Sequence, residues 1–139
     1  VRGKVEDAIA GTLCRGLEEA FGTSSEVMPA LPDPSYAYSP KRDQYLAASI
    51  LELLTQVDLP RALRLLGVVD LDLYAPQLNF VFGQAAIGER EALVALPRLR
   101  QSFYGMPEDL ELFRQRTLKE AIHELGHTFG VATAPSATV

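Results

Sequence analysis

Apolar residues recur at every fourth position near the start of the chain, at Val5, Ile9, Leu13, Leu17 and Phe21. That spacing gathers them on one helical face, and Gly22 follows as a C-terminal stop. "SEVMPAL" (25–31) is short, partly β-branched and broken by proline, which predicts a strand running into a loop. "PDPSYAYSP" holds too many breakers for regular structure. Ser39 and Pro40 read as the N-cap and first position of a second helix. Its apolar stripe would be Leu46, Ile50, Leu53, Leu54 and Val57. "LRLLGVVDLDLY" predicts a buried strand that turns polar at its exit, where Asp70 and Asp72 read as solvated. Two more strand-like runs fall at 79–82 and 92–96, around a connection containing Gly83 and Gly88.

The pattern changes at "GMPEDLELFRQRTLKEAIHELGHTFG". Pro107 suits a first helical turn, and Glu108 and Asp109 sit where the helix dipole favours negative charge. Leu110, Phe113, Leu118, Ala121, Ile122, Leu125 and Phe129 supply an apolar face, with Gly130 as terminator. Helices alternating with strands predict an α/β layer structure. At 139 residues the chain is expected to form a single domain with a sizeable core.

Composition narrows the partners. With 13 basic residues scattered among 18 acidic ones and a net charge of −5, neither nucleic acid nor an anionic membrane is expected as a partner. No apolar run approaches the ~20 residues that span a bilayer, and no signal peptide is evident. Cys14 is the only cysteine, so no internal disulfide framework or cysteine-rich zinc cluster can be built from these residues. The expected setting is cytoplasmic and the expected state a monomer. Cys14 itself reads as a small core residue, and the tyrosines at 36, 38 and 45 as ordinary packing.

Both histidines of the chain fall in one H-E-x-x-H motif, at His123 and His127. On a helix the two imidazoles project from the same face one turn apart, a separation that suits two nitrogen ligands of tetrahedral zinc. Glu124 is rotated off that line by one residue, within reach of a water bound to the metal. Zinc brings such a water toward neutrality in pKa, and the carboxylate takes its proton and passes it to the leaving amine. Chance produces the pattern in roughly one chain of this length in a few hundred. Glu120–His123 and Glu124–His127 also have the Glu-x-x-His spacing of di-iron bundles, but no matching pair exists elsewhere in the sequence.

The extended stretch "HELGHTFG" (123–130) resembles the opening of the metzincin signature H-E-x-x-H-x-x-G-x-x-H. "YSPKRDQYLAASIL", "LNFVFGQAAIG" and "ALVALPRLR" resemble one branch, the archaemetzincins. The resemblance implies a metzincin-like zincin domain, α/β, with a twisted mixed sheet backed by helices that include the motif helix. It implies a catalytic zinc on three histidines, with His123 and His127 as the first two ligands, Glu124 as base and Gly130 as the turn glycine. A second, structural zinc is implied only for a full-length family member. A peptide or protein substrate would pair with an edge strand around Phe80, Val81, Phe82 and Gly83. Two departures stand out: Thr133 occupies the third-ligand position, and no cysteine or methionine follows Met106. The expectation is a zinc metallopeptidase chain lacking its C-terminal part, namely the third ligand, methionine turn and cysteine-rich segment. The alternatives are an inactive metzincin-fold binding or scaffold protein, and a two-histidine site completed by water or a partner.

Overall fold

The computed structural model describes residues 7–28, 31–60, 63–86 and 88–129. Among these residues, three α-helices and six short strands form a mixed α/β structure: α1 (Asp7–Phe21), β1 (Tyr38–Ser39), β2 (Gln44–Leu46), α2 (Ala47–Leu54), β3 (Leu65–Val69), β4 (Leu73–Tyr74), β5 (Gly83–Ala85), β6 (Glu91–Ala95) and α3 (Leu110–Thr128). The main sheet runs β3-β6-β5, with β3 parallel and β5 antiparallel to β6. A smaller sheet runs β1-β2-β4, and a bridge from Leu73 to Val81 brings the two together.

Side-chain alternation along the central strands sorts the core into two layers. Leu93 and Ala95 of β6, with Val69 of β3, pack against Ile50, Leu51 and Leu54 of α2. Val94 and Val68 point the other way, onto Ile9 and Leu13 of α1 and Phe113 and Ala121 of α3. The two helices of that layer run side by side in the same direction. Leu118 lies where a Cβ on Gly16 would go, and farther along Phe21 stacks on Phe129 at 5.8 Å.

Some expected boundaries hold and others shift. α1 ends at Phe21 and Gly22 follows with φ +66°, a conformation that suits glycine. Of the run expected at 25–31, residues 25–28 and Leu31 form no strand, and 29 and 30 lie outside the described residues. Ser39 and Pro40 do not open a helix; the chain makes a β1–β2 hairpin and α2 starts only at Ala47. Asp43 takes the turn at φ 52°, accepts a hydrogen bond from the Tyr38 hydroxyl at 2.7 Å, and the Tyr38 and Tyr45 rings meet across the hairpin at 5.0 Å. Cross-strand tyrosine packing therefore overrides the capping signal. The run expected at 79–82 contributes only the Val81 bridge, and the strand is β5, Gly83–Ala85. α3 begins after Pro107, with the Asp109 side chain capping the Leu112 N–H at 3.0 Å. Leu110 and Phe129, placed on the apolar face, are about half exposed, and Cys14 is only half-buried.

Asp70 and Asp72 are not solvated. Parallel β3 and β6 leave the sheet at the same end, with Val69 opposite Ala95, so two carboxylates meet two guanidinia. Arg100 donates to both oxygens of Asp70, at 2.7 and 2.9 Å, and Arg98 to both oxygens of Asp72, at 2.7 and 3.0 Å. Hydrogen bonding to Asp72 raises the pKa of Arg98 above its ordinary value.

Candidate metal centre

α3 carries the motif into the fold. Thr117, Ala121, Leu125 and Thr128 line its fully or nearly buried face, which fixes the rotation of the helix and so the direction of His123 and His127. The two imidazoles are half-buried, their ring planes are 89° apart, and their Nε2 atoms lie 3.1 Å from each other. Two imidazole nitrogens sharing one tetrahedral zinc at ordinary bond lengths sit about 3.3 Å apart. The pair therefore already has the spacing of a metal chelate. One ligand atom from each of His123, Glu124 and His127 falls within 4.8 Å of the others. Donor type and separation both fit zinc.

The end of the motif helix is tied down from two loops. The Gly88 N–H donates to the His127 carbonyl at 3.0 Å. Arg64 Nε donates to the Thr128 hydroxyl at 3.0 Å, and its guanidinium lies 4.1 Å from the centre of the Phe129 ring. The first contact satisfies a carbonyl that a helix end leaves open, and together they pin the turn that bears His127.

Beneath the histidines, Glu124 is only 5% exposed and Glu120, one turn earlier, 6%. Both lie against Gly83 of β5. A Cβ built on that glycine would overlap the Leu93 carbonyl oxygen and come within 2.9 Å of Glu124 Cγ and 3.1 Å of Glu120 Oε2. Glycine thus lets the edge strand lie directly on the motif helix.

The other expected residues divide. Gly83 belongs to β5 and touches Glu124, whereas Val81 and Phe82 are core residues and Phe80 is half-buried beside them. The Ala95 N–H donates to the Phe82 carbonyl and the Ala86 N–H to the Glu91 carbonyl. By the alternation of an antiparallel ladder, Gly83 and Ala85 then turn their N–H and C=O groups away from β6, and no further strand pairs with β5 among the described residues. Gly130 and Thr133 lie outside the described residues. The sequence reading missed the burial of Glu120 and the two ties from Arg64 and Gly88. Glu120 had a visible signal, since it falls four residues before Glu124 and so on the same side of the helix. No helix among the described residues is long and apolar enough to cross a membrane.

The model of a family described as peptidase family M54 matches residues 34–139. An archaemetzincin of Methanocaldococcus jannaschii is 42% identical over 129 residues, covering 93% of this chain and 69% of the relative. One from Pyrococcus furiosus is 40% identical over 140 residues, covering 96% of this chain and 73% of the relative. Among solved structures, archaemetzincin from Methanopyrus kandleri superposes with a TM-score of 0.81 at 38% identity, over 96% of this chain and 72% of that one. Archaemetzincin from Archaeoglobus fulgidus, complexed with malonate, gives 0.79 at 33% identity, over 96% of this chain and 77% of that one.

Proposed function

This chain belongs to peptidase family M54, and from that premise we propose that it contributes a metzincin-like catalytic domain to a zinc-dependent hydrolase of peptide bonds, with His123 and His127 as metal ligands and Glu124 as general base. The observation that carries the reading is the 3.1 Å convergence of the two Nε2 atoms beside a buried carboxylate. A zinc ion held there would supply Lewis-acid polarisation of the scissile carbonyl and acidify water at the site. Glu124 sits one residue round the helix from His123, so its carboxylate can accept a proton from water and return it to the departing amine. Burial and the packed Gly83 backbone limit where that carboxylate can swing.

The substrate is a peptide in extended form, paired through main-chain groups with the outward N–H and C=O of Gly83 and Ala85. Phe80, Val81 and Phe82 set the approach to that edge from within the core. A third protein ligand would come from outside the described residues, with Gly130 as the turn toward it. The same reading takes one catalytic zinc, a monomer and a cytoplasmic setting.

Zinc content and peptide cleavage test this. Zinc-replete protein should hold about one zinc per chain, lost on His123→Ala. Glu124→Gln should keep that zinc and lose hydrolysis by at least about a hundredfold. Wild-type protein that stays free of zinc under those conditions points to the non-catalytic binding module instead, and turnover retained by Glu124→Gln removes that residue as base.

A further inference from the structure

Residues 78–80 lead directly into the edge strand, and three side chains from elsewhere in the fold hold them in turn. Arg42 donates to the Leu78 carbonyl at 2.6 Å and, through Nε, to Gln44 Oε1 at 3.1 Å, with its guanidinium 4.0 Å over the Tyr74 ring. The buried Gln44 donates through Nε2 to the Asn79 carbonyl at 2.8 Å and to Asp72 Oδ2 at 3.0 Å. Asp72 grips Arg98 through both oxygens, and the Arg98 guanidinium stands between the rings of Phe80 and Phe103, 4.2 and 4.7 Å from their centres. One continuous network thus fastens two successive carbonyls and the next side chain.

A segment without ladder partners must satisfy its carbonyls by other means, which explains the donors but not their linkage. The need for linkage comes from β5. At three residues it makes few ladder hydrogen bonds of its own, so its register depends on what packs against it and on what pins the chain leading into it. Slipping by one residue would place Phe82 or Gln84 where only Gly83 fits against Leu93 and Glu124. It would also exchange the outward-facing main-chain groups for inward-facing ones. We infer that Arg42, Gln44, Asp72 and Arg98 are positioning residues that lock the register of β5 and thereby place its outward N–H and C=O groups for an incoming peptide. The inference rests on the reading of β5 as the substrate-binding edge. A linked, fully hydrogen-bonded network suits that task, because removing one member loosens its neighbours as well.

Asp72→Asn breaks the network at its junction, and Arg42→Ala removes its outer end at a position that lies on the surface. In zinc-supplemented protein, amide exchange at Val81, Ala86 and Ala95 reports the register. Dissociation constants for acetohydroxamate and for a tripeptide hydroxamate separate the metal from the strand. Both variants should exchange about tenfold faster at those three amides and bind the tripeptide hydroxamate about tenfold more weakly. Acetohydroxamate, which does not reach the strand, should change by less than about twofold. Unchanged exchange in both variants, or equal weakening of the two hydroxamates, overturns the inference. Wild-type protein that binds neither compound defeats the peptidase reading, and the exchange rates then decide alone whether these side chains hold the strand.

Discussion

Both outer strands of the β3-β6-β5 sheet carry a glycine facing a helix, and what each glycine meets differs. A Cβ on Gly67 of β3 would come 2.9 Å from Leu54 Cδ1 and 3.1 Å from Leu93 Cδ1, the movable ends of two leucines. On Gly83 of β5 it would run into the Leu93 carbonyl oxygen, which belongs to the central strand and cannot yield, and would crowd the stem of Glu124 and a carboxylate oxygen of Glu120. β3 is a packing strand, five residues long, whose neighbours on the α2 side are aliphatic side chains. β5 is a three-residue shelf laid on the helix that carries the histidines. A sheet edge becomes useful for chemistry when its backbone can approach the reactive groups more closely than any side chain would permit.

The comparison is broken most directly at the two glycines. Gly83→Ala is expected to cost about 3 kcal/mol of stability in urea denaturation, since main chain has to shift. A loss there no larger than for Gly67→Ala removes the contrast. Ala85→Pro should leave the ladder intact, because the N–H it deletes faces away from β6. It should still weaken a tripeptide hydroxamate about tenfold by competition binding, roughly 1.4 kcal/mol. Gly67→Ala is the mildest, about 1 kcal/mol, because Leu54 and Leu93 can turn their ends aside.

Local pattern carried α3 well: its apolar spacing, its acidic start and its motif agree with a helix over Leu110–Thr128 and with the histidines on one face. β6 was legible as a continuous apolar run, consistent with burial on both sides. The errors came where distant residues compete with local signals. A serine and a proline advertise a helix start at 39–40, yet the tyrosines at 38 and 45 pair across a turn and claim that stretch for a hairpin. Asp70 and Asp72 looked solvated because their partners lie 30 and 26 residues away. The matching two-residue spacing in Arg98 and Arg100 was the available clue, and it acquires meaning only once β3 and β6 are known to be parallel. Gln44 gave no signal at all, since a buried carboxamide looks like any surface one in a sequence.

β5, β6 and α3 all pack on one another and all come from the single stretch 83–128. The shelf, the central strand and the histidine helix can therefore assemble by closing short loops, whereas α1 joins only after a much longer one has closed. Chain entropy opposes the later steps more than the first. The working parts can draw together early, with the rest of the fold arriving as their enclosure.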